Sequence, residues 1–535
     1  MTTALKPGNP ATSLHSRVHL HRHKFGVALA LVCAAAATAC SSPNEPNPSE
    51  LVDAAPTQTT DAGEVVLPSE VTVQLMPQTG VSGTQLVNFA IPLSPGTLSE
   101  ASNVEVLVGD SPATAYRRGL ANYPDGSLRS VQIQVEVDVD TTSEIVVAIG
   151  TEATGGTREL VDIVQTLLDP SGETGPMVWT VLPPEWLSKA QLAGPSIPHS
   201  AFTGSDLDAW TSVCDYDKWN TEAFLAVNGT RGPWLYDRVT TMFRGYQVYG
   251  GQSPLSSAFR EAHLYRNGMM GTGTKTRIGV PNAASDVKYH YAQGLALHYL
   301  LTGDDRFREA AENVALRMSE LWPSPGYAGG ADFWIERHAG FSLLAYVWAA
   351  AVSDDRSGEF ESLADEAITA YFDVQATYPI GYNDTEARCF AHSADAHGEG
   401  YGYIGCSPWM SAILTDALDA YVNLRSGTLA DTARTSLVQL GRAVARDGID
   451  DQGKPYYWMG VDVATNEVDS YDEHWGEPAY VIALAYHHDG RQDAELLAAA
   501  KGLVSGLATS GTSPHVRSFN WQCRSAVMAP YYLAP

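Results

Sequence analysis

A β module followed by a closed ring of helical hairpins, an (α/α) toroid, is the fold class that this sequence predicts. Three observations lead there. Residues 66–180 carry short runs of alternating apolar and polar residues between turn signals, whereas residues 181–535 carry long apolar and amphipathic stretches. The helical stretches come in pairs, one apolar and the next amphipathic, which is the pattern of an inner and an outer helix. The pairs are unequally spaced and joined by long loops, which favours a closed ring over a regular open solenoid.

The pair at Tyr289–Met318 is the clearest. Tyr289 to Leu301 is apolar on nearly every side and predicts a buried helix. Gly303 fits its C-cap and Asp304 a fresh N-cap. In the second helix Phe307, Ala310, Ala311, Val314 and Met318 make one stripe, with Arg306, Arg308, Glu309, Glu312 and Arg317 off it.

The N-terminus reads as a targeting segment. Lys6, Arg17, Arg22 and Lys24 precede an apolar and small-residue run from Phe25 to Ala39. The run is short for a membrane span and has the layout of a secretory signal. It ends Ala37-Thr38-Ala39-Cys40, which resembles a bacterial lipobox. That resemblance implies a signal over residues 1–40, lipidation of Cys40, and a protein anchored by lipid in the bacterial cell envelope. Residues 41–65 are rich in Pro, Ser, Asn, Asp and Glu without periodicity, and predict a disordered tether.

Composition bounds the partners. The chain has 535 residues, enough for two domains or a toroid with an added module, and 18% are charged. The formal net charge is −28, which excludes nucleic acid as a partner and disfavours an anionic substrate unless the cleft is locally basic. Beyond Cys33 and Cys40, four cysteines remain, an even number that suits an oxidising compartment. Of three possible connectivities, neighbour spacing suggests Cys389–Cys406 with Cys214–Cys523. No zinc-binding Cys/His spacing is present.

In the β module Val131, Ile133, Val135, Val137 and Val139 alternate with polar residues, after the turn signal Pro124-Asp125-Gly126-Ser127. This predicts a strand with one buried face. Val71–Leu75, Val87–Leu93, Val104–Val108 and Ile145–Ile149 are further strands of a sandwich or small barrel. Arg117 and Arg118 read as ordinary strand and turn residues. Five to six hairpins then follow: Leu235–Tyr249 with Pro254–Asn267; the pair above; Phe341–Val352 with a stripe from Phe360 to Tyr371; Met410–Leu424 with Thr432–Arg446; Ala479–Tyr486 with Asp493–Leu507; and a closing segment Trp521–Tyr532.

If each inner helix begins at the cleft, its first turn faces the ligand. Those turns hold Tyr236-Asp237-Arg238, Tyr289-His290-Tyr291, Trp334 to His338, Ser407 to Met410, Tyr471 to Glu477 and Asn520 to Arg524. Aromatic faces stack on sugar rings while charged groups satisfy hydroxyls, so the set predicts a cleft for a polysaccharide or oligosaccharide. Trp334, Trp409, Trp475, Glu477, Trp521 and Arg524 are the candidate binding residues.

An exported β module with a turn and strand Tyr123-Pro124-Asp125-Gly126-Ser127-Leu128-Arg129-Ser130-Val131, followed by a helical toroid, resembles the exo-rhamnogalacturonan lyase-like family. The resemblance covers residues 66–535. It implies an N-terminal β-barrel-like domain joined to an (α/α) toroid, and chemistry on pectin-like or other acidic glycans. It assigns no catalytic residue.

Two chemistries fit the residues. A lyase needs a base for the C5 proton of a uronic acid, a cation for its carboxylate and an acid for the leaving oxygen. His290, Tyr291, Arg337, His338, His397, Glu473 and His474 are the candidates, and their histidines and arginine favour β-elimination. A glycoside hydrolase needs two carboxyl groups across the bond, which Glu336, Asp472, Glu473 and Glu477 could supply. A surface lipoprotein that binds glycan without cleaving it is a third reading. The loop Gly381–Cys406 holds His392, Asp395, His397 and Glu399 among glycines. It reads as a lid over the cleft, as a calcium or zinc site, or as a disulfide-tied surface loop. No cofactor is otherwise expected.

Overall fold

Strand alternation in the first third of the chain builds two sheets. The computed structural model describes residues 67–208, 213–323, 334–510 and 515–534, all within one compact unit. The predicted signal, Cys40 and the tether lie outside the described residues. The strands are β1 (Glu70–Pro77), β2 (Thr84–Pro92), β3 (Val104–Val108), β4 (Ser111–Pro112), β5 (Ala115–Asn122), β6 (Leu128–Asp138), β7 (Glu144–Ile149) and β8 (Val178–Val181). They form antiparallel sheets of order β4-β3-β7-β1-β8 and β2-β6-β5 around a shared apolar core.

β6 corrects one expectation. Its valines and Ile133 are buried as the alternation requires, but Ser130, Gln132 and Gln134 on the other face are buried too. That polar face docks on the helical part. The Ser130 hydroxyl donates to the Leu300 carbonyl at 2.6 Å, and the Asn88 amide donates to the Thr302 carbonyl at 2.8 Å. Both acceptors sit in the last turn of a helix, where carbonyls lack intrahelical donors.

Two short helices, α1 (Pro184–Lys189) and α2 (Thr221–Leu225), lead into the hairpins. These are α3 (Arg238–Tyr249) with α4 (Gln252–Asn267), α5 (Gln293–Thr302) with α6 (Asp305–Leu321), and α7 (Glu336–Val352) with α8 (Ser357–Thr377). After the one-turn α9 (Ala394–His397) come α10 (Ser411–Leu424) with α11 (Thr428–Asp447), and α12 (Gly476–His488) with α13 (Ala494–Ser510). α14 (Val516–Ala526) and α15 (Ala529–Leu533) end the chain. α3 packs on α5, α5 on α7, α7 on α10, α10 on α12, α12 on α14, and α14 back on α3, so the inner helices close a ring.

Local signals hold at the second hairpin. Gly303 caps α5 with φ +71°, and the Asp304 carboxylate accepts from the Arg306 amide to start α6. Gly303 also approaches β6 closely: a Cβ there would stand 2.3 Å from the Gln132 side chain. One boundary moves: Val287–Tyr289 is a 3-10 turn, and α5 begins only at Gln293.

The ring is cross-linked through its middle. Asp416 of α10 receives Arg244 of α3 at 2.5 Å on one oxygen and Arg524 of α14 on the other. Arg524 also donates to Gln293 of α5 at 2.7 Å, and Tyr480 of α12 reaches Asp416 at 3.3 Å. The disulfides are Cys214–Cys523 and Cys389–Cys406, the pairing that spacing suggested. A small sheet not anticipated from sequence, of order β12-β11-β10-β9, joins β9 (His392–Ser393), β10 (Ile404–Cys406), β11 (Tyr456–Gly460) and β12 (Asn466–Val468).

Candidate functional site

The first turns of the inner helices meet at one end of the ring. There Leu235, Tyr236, Arg337, Trp409, Tyr457, Tyr471, His474, Arg517 and Trp521 line a cavity of about 170 Å³. Tyr236 lies just before Asp237, the N-cap of α3, Arg337 lies in the first turn of α7, and Trp409 and His474 precede α10 and α12. With Arg517 in the first turn of α14, five helix N-termini thus stand around the cavity, and their partial positive charge favours an anion. Backbone strain gathers at the same place. Tyr236, Asp237 and Asp472 adopt φ of 71°, 54° and 54° without being glycine.

His474 is the best-placed acid–base group. Its Nδ1 lies 3.0 Å from Glu477 Oε1, which leaves Nε2 to exchange a proton with a ligand. Its ring lies nearly parallel to Trp409 and Trp521, with centroids 4.3 and 4.7 Å away and an interplanar angle of 15° to each. Burial pushes the Glu477 carboxyl up, and His474 beside it pulls it partly back. Burial also raises the Tyr236 and Tyr457 hydroxyls well above the usual range, so both keep their protons, and the Tyr457 hydroxyl donates to Glu399 at 3.3 Å.

The mouth is basic although the chain is acidic. Burial, and next the charge of Arg337, lower the Lys288 ammonium, with Asp286 opposing; burial raises the Tyr289 hydroxyl, and Arg231, Arg337 and Arg517 oppose that while Asp286 adds to it. Arg517 pairs loosely with Glu473 at 3.4 Å and covers the Trp521 ring at 4.4 Å. Lys288 pairs with Asp286 at 3.3 Å. Among the described residues, Arg231 and Arg337 pair with no carboxylate.

Of the residues named from sequence, Arg337, Trp409, His474 and Trp521 line this cavity. Glu473 and Glu477 stand behind it, on Arg517 and His474. Six others lie off the cavity lining. His290 is buried with Nδ1 on the Asp286 carbonyl at 2.9 Å, and Tyr291 donates to the Trp234 carbonyl at 2.7 Å. Trp334 stacks on Phe390 in the core. Trp475 turns towards α13, where Gly506 leaves room for its ring. Arg524 belongs to the Asp416 cluster. His338 meets Trp322 edge-on at 5.2 Å, at the end of outer helix α6.

In the Gly381–Cys406 segment, His392 Nε2 lies 2.6 Å from Glu336 Oε2, both fully buried. Glu336 Oε1 accepts the Ser407 amide at 2.8 Å, so this carboxylate is committed to the scaffold. The His397 side chain lies outside the described residues. Sequence reasoning missed Tyr457 and Arg517 as site residues. Tyr457 sits on the unanticipated β11, and Arg517 on the first turn of α14, which begins earlier than predicted.

No family model and no curated protein matches the chain, so the resemblance to exo-rhamnogalacturonan lyases gains no support. Two solved structures are similar in part. A sugar epimerase from a ruminal bacterium aligns with a TM-score of 0.36 and 15% identity, over 51% of this chain and 74% of that one. An unsaturated glucuronyl hydrolase specific for heparin aligns with a TM-score of 0.31 and 13% identity, over 50% and 66%.

Proposed function

We propose that this chain is a carbohydrate-active enzyme that cleaves a uronic-acid glycan by β-elimination. The observation that carries the reading is the cavity lining: Arg337 and Arg517 line it and no carboxylate does, in a chain of net charge −28. A binding site for neutral glycan has no use for that concentration of positive charge.

The chemistry follows from the lining. Arg337 and Arg517 hold the substrate carboxylate and stabilise the negative charge that develops on it. His474 Nε2, oriented through Nδ1 by Glu477, takes the C5 proton. A tyrosine hydroxyl, Tyr457, returns a proton to the leaving oxygen as the C4–O bond breaks and the C4–C5 double bond forms. Trp409 and Trp521 present apolar faces to the sugar. Hydrolysis is less well supported, because no carboxylate lines the cavity and Glu473 and Glu477 are engaged behind it. We also propose export and lipid anchoring through Cys40, a reading with which the two disulfides agree.

The test is absorbance near 235 nm while purified protein is incubated with a panel of uronic-acid glycans. Rising absorbance marks the unsaturated product and supports the lyase. New reducing ends without absorbance would replace it with hydrolysis, and binding without either would replace it with a glycan-binding protein.

A further inference from the structure

Away from this mouth, where the β module meets the ring, three ligand-type side chains come together. His263 of α4, His298 of α5 and Asp304, the N-cap of α6, place a nitrogen or oxygen donor each within 4.8 Å of one another, and all three are buried. The histidine rings meet edge to face at 5.0 Å. Phe259 and Phe307 pack on both, and Gly172 closes over His263 so tightly that a Cβ would stand 2.2 Å from its Cε1.

None of the four imidazole nitrogens makes a well-formed hydrogen bond, and the Ser171 backbone offers His263 only a loose contact. Buried polar atoms without partners are rare, because each forfeits its hydration. Two adjacent histidines with this defect point to a shared ligand that satisfies both. We propose that His263, His298 and Asp304 form a structural zinc site that ties α4, α5 and the start of α6 together.

The donor chemistry selects the metal. Two imidazoles and one carboxylate suit zinc, whereas calcium and magnesium require mostly oxygen donors. Burial already holds both imidazoles in the neutral form that binds metal, with His263 lowered to about 4. Tetrahedral zinc spaces its donors roughly 3.3 Å apart, so side-chain shifts on the order of an ångström close the set. Asp304 is now held by Arg306, whose Nε and Nη2 reach its two oxygens at 2.8 and 2.6 Å. A carboxylate has further lone pairs for a metal, and the Arg306 side chain is 31% exposed, so it can yield towards water. A void of about 30 Å³ beside His298, also lined by Asn88 and Thr302, has room for a water next to that imidazole.

The test uses the untagged full chain. After dialysis against zinc and then metal-free buffer, we expect about one zinc per chain by mass spectrometry, and a cobalt-loaded sample with the visible absorption of a tetrahedral ion. A strong chelator should lower the thermal midpoint by several degrees, as linkage requires. His298→Gln should lose the metal and the chelator effect together. Should that variant fold poorly, His263→Gln and Asp304→Asn must show the same paired loss. Wild-type protein that takes up neither zinc nor cobalt, or variants that keep the metal, would overturn the proposal and leave a bridging water as the partner of the two histidines.

Discussion

The two ends of the helical ring carry similar residues and opposite electrostatics. At the end facing the β module, a cavity of about 780 Å³ is lined by Arg118, Arg129, Tyr299, Tyr421 and Arg425, among others. The carboxylates of Asp305, Asp354 and Glu361 stand among its arginines. Arg118 pairs with Asp305 at 2.8 Å, Arg425 with Glu361 at 2.7 Å and Asp365 at 3.1 Å, and Arg129 covers Tyr123 at 4.1 Å. At the other end the cavity is about 170 Å³, yet no carboxylate lines it, and Arg337 there has no carboxylate partner among the described residues. The larger space is therefore the weaker candidate. Uncompensated charge at converging helix N-termini, and not volume, locates the proposed chemistry.

Substitutions at the mouth should separate the ends most sharply. His474→Gln keeps much of the ring's packing but removes the base, and should lower kcat/KM about 10²–10⁴-fold in the 235 nm assay. An unchanged rate would remove His474 from the mechanism. In the middle of the ring, Asp416→Asn leaves Arg244 and Arg524 buried without their anion. It should destabilise the fold by about 3–5 kcal/mol in denaturant titration, without changing KM per folded molecule. The same carboxyl gives a pH dependence. Burial alone would raise it, and Arg244 and Arg524 more than reverse that, so it lies below the ordinary carboxylate range. Its contribution is present above the unfolded value of about 4 and is lost as pH falls through the folded one. Arg337→Gln should raise KM for an acidic glycan and lower kcat, together on the order of 10²-fold. Equal losses on a neutral glycan would argue against carboxylate recognition.

A second pH effect involves both ends equally. Burial lowers His290, near the mouth, and His487, at the far end of α12, to about 4. Between that value and the unfolded value of about 6.5, the unfolded chain binds protons that the folded chain refuses. Stability is therefore complete above this range and declines as pH falls through it, by about 1.4 kcal/mol per unit for each group. Denaturant midpoints at pH 7.5 and 5 should differ accordingly, and His290→Gln should reduce the slope.

What was legible in the sequence was local. The stripe Phe307–Met318 and the caps at Gly303 and Asp304 depend on neighbours within a few residues, and the structure keeps them. The fate of a polar residue in a first turn was not legible, because the ring's closure decides it. Arg337 and His338 are adjacent in α7, yet one lines the mouth and the other packs against Trp322. Arg524 has the residue type expected of a cleft, and becomes a core residue only because Asp416 arrives from 108 positions away. The second buried face of β6 and the short strands β9–β12 are likewise set by partners distant in sequence.

The smallest expected effect tests the quieter end. Arg118 joins β5 to the start of α6, pairing with Asp305 and donating to the Gly303 carbonyl at 2.5 Å. The pair is partly open to solvent, at 28% and 43% exposure of the two side chains, so water and salt screen most of its attraction. Arg118→Ala should therefore shift stability by about 0–1 kcal/mol and leave the elimination rate unchanged. A small stability change with a large loss of rate would mean that the β-facing cavity takes part in the reaction after all. The contrast between the two ends would then have to be drawn on something other than compensated charge.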